Sequence, residues 1–159
     1  MGEVMCHTLK KGTTSKLLLI RALDAGDVRL GKTGLSDRTP GIRAASIRSG
    51  EVRASSISLS PGAVGEYRTG SFVEVDSDLL PGVYQLSVPD AALAGGADEV
   101  TLAINAPGAV IEPVTISLVA YDPQDSNRLG MSALGPEGRI AALRGAFPRL
   151  TAKELEEVR

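Results

Sequence analysis

The fold is decided by residues 70–93, which read GSFVEVDSDLLPGVYQLSVPDAAL. Residues 72–75 are a short run of β-favouring residues, and residues 83–88 alternate as the residues of a half-buried strand do. The Pro81-Gly82 dipeptide between them is a strong turn signal, so this stretch predicts two antiparallel strands joined there. Proline then ends the second strand, and residues 90–94 predict one turn of helix.

Most of the chain up to residue 121 repeats this pattern of short strands and turns. Turn signals recur at roughly 8–12-residue spacing, and no long helical periodicity occurs before residue 123, which favours an antiparallel β-sandwich. The strand candidates cover residues 17–23, 28–30, 42–48, 52–59, 72–75, 83–88, 99–104 and 114–120. Nine residues are expected in the core: Tyr84, Leu86, Val88, Val100, Leu102, Ile104, Val114, Ile116 and Leu118.

Composition excludes several classes of protein. Hydrophobic residues make up 43% of the 159 residues, which is enough for a core, and the net charge of −2 gives no reason to expect a nucleic-acid partner. Cys6 is the only cysteine and His7 the only histidine, so neither a disulfide framework nor a zinc site is expected. No signal peptide is expected within residues 1–16, and no apolar run approaches the ~20 residues needed to cross a bilayer.

The pattern predicts three regions: an N-terminal arm over residues 1–16, the β-sandwich over residues 17–121, and a linker and helical arm over residues 122–159. Thr151 and Glu154 match a capping box, which predicts a short helix at the end of the arm. Six apolar side chains of this arm have no core of their own, and we expect them to bind a partner: Ile140, Leu143, Phe147, Leu150, Leu155 and Val158. The alternative is that the arm folds back over its own sandwich.

From Gly26 to Thr33 the chain reads GDVRLGKT, which fits the phosphate-binding pattern G-x-x-x-x-G-K-[ST]. Such a loop needs a helix whose N-terminus faces the phosphates. Gly34 follows the motif directly and Pro40-Gly41 comes soon after, so no helix of useful length is expected there. The pattern therefore does not predict a nucleotide site.

Other candidate chemistry is thin. The run Asp76-Ser77-Asp78, with Glu74, has the oxygens that calcium prefers, but a turn in which an aspartate binds nearby amides is the favoured interpretation. Four arginines recur every five residues, a spacing that fits no single helix or strand face and predicts solvated surface: Arg38, Arg43, Arg48 and Arg53. We expect no catalytic, cofactor-binding or metal-binding residues and no enzymatic activity.

Two stretches resemble a module of tailed-bacteriophage virion proteins. The first is FVEVD at residues 72–76, then PGVYQL at 81–86 and VPDAALAGGA at 88–97; the second is YDPQD at 121–125 with RLGMSAL at 128–134. The resemblance spans roughly residues 13–134. Proteins of this type include baseplate upper proteins, fibre proteins with such an N-terminal domain, and capsid decoration proteins. It implies an immunoglobulin-like β-sandwich without catalytic residues.

In longer proteins of this type the segment after residue 134 leads into a stalk or receptor-binding part. The 25 residues that follow here favour a capsid decoration, adaptor, or fibre or baseplate role over receptor binding. The partners implied are other virion proteins and further copies of the chain, with a trimer as the favoured oligomer, and no nucleic acid or membrane. The chain would be made in the host bacterial cytoplasm and located in the virion.

Two other functions compete with this one. A carbohydrate-binding module for host-surface adhesion can have the same fold, but sugar sites usually stack aromatic rings. Tyr67, Tyr84 and Tyr121 with two phenylalanines are a meagre supply for that purpose. The third function is nucleotide binding through residues 26–33.

Overall fold

A computed structural model describes residues 6–122 of the chain. The chain divides into two units, residues 1–120 and 121–159, and the strands below belong to the first. Within residues 6–120 the first unit has nine strands and one short 3-10 turn. In chain order they are β1 Cys6–Lys10, β2 Leu17–Asp24, β3 Arg43–Arg48, β4 Ser55–Ile57, β5 Phe72–Asp76, β6 Leu80–Ser87, η1 Asp90–Leu93, β7 Glu99–Asn105, β8 Ala109–Ile111 and β9 Val114–Val119.

The strands form two sheets, as the sequence predicts. One sheet has five strands in the order β1-β9-β7-β3-β4, and the other has four in the order β5-β6-β2-β8. All neighbouring pairs are antiparallel except β1 and β9, which are parallel. The expectation of a wholly antiparallel sandwich is therefore wrong for this one edge pair.

One hydrophobic core lies between the sheets. All nine residues expected in the core are buried, which confirms the strand faces read from the alternation. Leu18, Ile20 and Ala22 add the inward face of β2, and Phe72 stacks on Tyr84 with ring centroids 4.9 Å apart. Scarcity of aromatic residues leaves aliphatic side chains to fill most of this space.

Tyr84 connects the core to the loop before β3. Its hydroxyl donates to the carbonyl of Lys32 at 2.7 Å and accepts from the N–H of Leu35 at 3.1 Å. Burial raises the pKa of the Tyr84 hydroxyl. The two hydrogen bonds satisfy backbone groups that would otherwise be unpaired under the loop.

The β5–β6 hairpin exists, but its turn is not at Pro81-Gly82. The reversal follows Asp76, whose Oδ1 accepts from the N–H groups of Asp78 at 2.9 Å and Leu79 at 2.7 Å. Pro81 and Gly82 belong to β6. Gly82 has φ +80°, and a Cβ there would lie 2.6 Å from the Cα of Gly31, so the glycine permits two backbones to cross.

Three further differences from the sequence pattern concern short segments. Residues 28–30 form a turn in which the N–H of Leu30 donates to the carbonyl of Asp27, instead of a return strand. Of residues 52–59 only Ser55–Ile57 is a strand. Residues 6–10, expected in an arm, are β1, where the inward Leu9 is buried.

The predicted helical turn over residues 90–94 is confirmed as η1. The short helix expected at the end of the C-terminal arm lies outside the described residues.

Candidate interaction surface

The outer face of the four-stranded sheet carries apolar side chains on its central strand β2. Leu18, Ile20 and Ala22 point into the core, so the odd-numbered residues of the strand point outward. Leu19 lies in the middle of this outward row and is 56% exposed. A strand facing only solvent usually carries polar residues on that side, whereas the outward row of β2 includes Leu17 and Leu19.

Neighbouring strands extend this apolar face. In the pairing of β2 with β6, Val83 lies opposite Arg21, and in that of β5 with β6, Val73 lies opposite Gln85, which itself is opposite Leu19. Directly opposite residues in an antiparallel pair point to the same face. We call the surface formed by Leu17, Leu19, Val73 and Val83 the β2 face.

A loop covers the far end of this face. Gln85 points outward but is only 3% exposed, because its side chain accepts from the N–H of Gly65 at 2.8 Å and donates to the carbonyl of Ala63 at 3.2 Å. Ser87 is also buried there and its hydroxyl is 2.7 Å from that of Ser71. The loop over residues 61–70 thus shields the polar end and leaves the apolar part open.

A groove of about 350 Å³ adjoins the β2 face on the side of β8. It lies where the chain leaves β8 and crosses to β9 in the other sheet through Glu112 and Pro113. Its apolar lining includes two exposed side chains, Val28 at 57% and Val110 at 43%. Apolar grooves with a few polar groups are typical binding sites.

The charges at the groove differ in how they are engaged. Arg29 donates to both carboxylate oxygens of Asp27, at 2.9 and 2.8 Å, which lowers the pKa of Asp27 and raises that of Arg29. Arg21 and Glu112 also line the groove, and neither forms an ion pair within residues 6–122. Arg21 is exposed. These two side chains are therefore free to meet charges on whatever occupies the groove.

The edge of β2 beside the groove is only partly paired. The N–H of Val88 donates to the carbonyl of Lys16. Because hydrogen-bonded positions alternate along an antiparallel pair, the backbone groups of Leu18 and Ile20 also point toward β6. The backbone groups of Leu17 and Leu19 therefore point toward the side of β8. On that side β8 pairs only with Ala22–Asp24. Within the described residues, the side of β2 that faces β8 is therefore unpaired over residues 17–21 and forms an open strand edge.

The phosphate-loop pattern has a structural role. Residues 26–33 form a turn and an isolated bridge from Gly31 to Leu23, and the described residues 34–42 that follow contain no helix. Lys32 donates to Asp24 at 2.9 Å, and this bond, together with the N–H of Gly26, lowers the pKa of Asp24. The lysine that a phosphate would need is thus engaged by a carboxylate.

The acidic run behaves as the turn interpretation predicts. Asp76 accepts two backbone N–H groups, which lowers its pKa, and Glu74 accepts the N–H of Gly34 at 3.0 Å. No group of three or more Cys, His, Asp or Glu residues that could hold a metal occurs among residues 6–122.

One of the four periodic arginines is not solvated surface. The guanidinium of Arg48 donates to the carbonyls of Ala94 and Gly95, both at 2.6 Å, and so holds the segment after η1 against β3. Arg38, Arg43 and Arg53 are exposed, as expected.

Within residues 6–122 the aromatic side chains offer little to a sugar. Phe72 and Tyr84 are buried, and Tyr67 donates to Val88 and Asp90 at 3.0 and 2.9 Å. Tyr121 is 50% exposed. The six predicted partner-binding residues of the C-terminal arm lie outside the described residues: Ile140, Leu143, Phe147, Leu150, Leu155 and Val158.

Sequence reasoning does not identify the β2 face. Its only signal is that residues 17–20 are apolar on both faces at the start of the strand. A sheet covered on both sides also has such a pattern, so only the open surroundings of Leu19 distinguish the two cases.

Comparison with protein families, with curated proteins and with solved structures finds no match to this chain. Within residues 6–122 no helix is long and apolar enough to span a membrane.

Proposed function

We propose that the chain is a non-enzymatic structural protein of a phage virion, a capsid decoration, adaptor, or fibre or baseplate component, that docks on the particle. The observation that carries the docking part is the exposure of Leu19 in the middle of the β2 face. Exposed apolar patches beside polar residues mark interaction surfaces, and burying one leucine fully is worth roughly 1.5–3 kcal/mol. The β2 face acts together with the C-terminal arm expected from the sequence over residues 122–159.

The virion part of the proposal rests on the resemblance of residues 13–134. We assign the module to the immunoglobulin-like class, and the strand order supports this assignment. With β2, β3, β5, β6, β7 and β9 in the places of strands B to G, one sheet has the order D-E-B and the other G-F-C, with β4 beside C. In this account the partners are other virion proteins and further copies of the chain, in a trimer.

Cosedimentation with purified particles of the encoding phage tests the docking face. Leu19→Asp should weaken binding at least tenfold, because a carboxylate would have to be desolvated at the interface. Ala103→Asp is the matched control, since Ala103 is exposed on the outer face of the other sheet. Binding of the Leu19→Asp chain at the wild-type affinity would contradict the proposed face, as would equal loss in both variants.

The role of the C-terminal arm is tested with a truncated variant. Deleting residues 136–159 should leave the sandwich folded by circular dichroism but reduce its occupancy on particles or its oligomeric state. Unchanged occupancy and unchanged oligomeric state would remove the arm from the proposal.

A further inference from the structure

The open edge of β2 is bounded at both ends. The pairing with β8 stops at Ala22, and Arg21 lies beside the point where the chain crosses from β8 to β9. At the other end the chain bends at Ser15, whose φ is +55°. The length that another strand can reach is therefore residues 16–20, and Leu18 is its midpoint.

Free backbone groups lie symmetrically about this midpoint. The N–H and C=O groups of Leu17 and Leu19 point toward the open side, where neither residue makes a backbone hydrogen bond within residues 6–122. A second β2 strand, antiparallel and related by a two-fold axis at Leu18, would place Leu17 of each chain directly opposite Leu19 of the other. Residues opposite each other at such positions exchange two hydrogen bonds, so every one of these groups would gain a partner.

The side chains at this edge suit the same pairing. Leu17 and Leu19 both belong to the outward row of β2, and directly opposite residues point to the same face, so the leucines of the two chains would pack together. Edge strands are usually protected from pairing by charged residues or proline. Residues 17–20 read LLLI and contain neither.

Charges at the two ends of the edge select a second copy over an unrelated strand. In the same register Arg21 lies opposite Ser15 of the second copy, whose N–H donates to its own Asp90 at 2.8 Å, so Arg21 would approach that carboxylate. Glu112, which lines the groove with Arg21, would lie next to Lys16 of the second copy. None of these four charged side chains forms an ion pair within residues 6–122, and the two-fold axis would form each new pair twice.

We propose that two copies of the chain pair through the open edges of β2, antiparallel and with Leu17 opposite Leu19. The two four-stranded sheets then join into one, and the β2 faces of both chains lie side by side on the same surface. This contact needs no particle, so it goes beyond the proposed function and is tested independently of it. It is additional to the proposed trimer and would join a chain of one trimer to a chain of another.

Disulfide trapping between two full-length variants tests the register. In a Cys6→Ser background, one chain carries Leu17→Cys and the other Leu19→Cys. Opposite residues of a hydrogen-bonded pair have Cα atoms about 5.5 Å apart, a distance that a disulfide spans, whereas the diagonal contacts of residue 17 with 17 and of residue 19 with 19 are about 7–8 Å. Each variant oxidised alone is therefore the control for the mixture.

An equimolar mixture should form the mixed dimer at least tenfold faster than either variant forms its homodimer. A mixed dimer that forms only in the proportion expected from random collision would overturn the proposal. A preference for either homodimer, or no disulfide-linked dimer at all, would overturn it as well.

Residue-resolved hydrogen exchange gives a readout on the wild-type chain. The amides of Leu17 and Leu19 should exchange at least threefold more slowly when the protein concentration is raised from the micromolar to the millimolar range. The amides of Leu18 and Ile20 should not change, because they face β6 within the single chain. Exchange that is independent of concentration at all four amides, or that slows equally at all four, would contradict pairing through this edge.

Discussion

The same substitution at a buried and at an exposed leucine tests whether the strand faces are assigned correctly. Leu102 lies on β7, is 2% exposed, and is directly opposite Val114 and Ser46 on the two neighbouring strands. Leu102→Ala removes the equivalent of about three methylene groups, or roughly 2.4 kcal/mol at 0.8 kcal/mol each, and leaves a cavity. The total loss should therefore lie at about 2–5 kcal/mol.

Leu19→Ala is the control, because Leu19 is 56% exposed and its removal leaves no enclosed cavity. It should cost less than about 1 kcal/mol. Urea denaturation followed by far-ultraviolet circular dichroism measures both. With a slope of about 1–3 kcal/mol per molar, a loss of about 2–5 kcal/mol should lower the Leu102→Ala midpoint by about 0.7–5 M. A loss below about 0.5 kcal/mol at Leu102, or a larger loss at Leu19, would refute the assignment of the faces.

Four other perturbations have expected outcomes. Tyr84→Phe leaves the Leu35 N–H and a carbonyl without their partner, so it should cost about 1–3 kcal/mol in urea denaturation, and a loss near zero would show that water replaces the hydroxyl. Gly82→Ala should lower the melting temperature by several degrees, because residue 82 has φ +80° and the new Cβ would clash with the Cα of Gly31. An unchanged melting temperature would contradict this close crossing of the two backbones. Lys32→Ala should retain the fold, and ATP should not raise the melting temperature of the wild-type chain; stabilisation by ATP that the variant loses would restore the nucleotide hypothesis. Acid should destabilise the fold, because hydrogen bonds lower the folded-state pKa of four carboxyl groups, those of Asp24, Asp27, Asp76 and Asp98. The stability that these groups contribute is present above the unfolded pKa of about 3.9 and is lost as the pH falls through the folded pKa. Stability that rises from pH 4 to pH 2 would contradict these hydrogen bonds.

The sequence predicts those parts of the fold in which local pattern and burial agree. Residues 99–104 and 114–118 alternate without interruption, and their inward residues are the buried ones in the structure. Residues 6–10 escape prediction because only five residues pair there and the strand lies at a sheet edge, where a polar row is tolerated.

Turn chemistry accounts for the misplaced hairpin turn. Pro81-Gly82 is a strong local turn signal, but the Asp76 side chain stabilises the actual reversal. Gly82 instead allows the backbone to pass close to Gly31, a residue distant in sequence. A glycine at positive φ has the same sequence signature in both roles. Only tertiary contacts separate them.

The candidate surface could be predicted least. Gln85 and Ser87 occupy outward positions, where polar residues normally mark a solvated face, yet both are buried under the loop over residues 61–70. Leu19 on the same face is exposed instead. Which outward residues are covered depends on where a loop lies, and period-two alternation contains no information about that.

The proposed virion role is tested most directly by mass spectrometry of purified particles of a phage whose genome encodes the chain. A virion structural protein should be present after density-gradient purification at a fixed copy number relative to the major capsid protein, and a trimer should give a multiple of three. Absence of the chain from particles, with abundant chain in the soluble lysate of the same infection, would contradict the assignment.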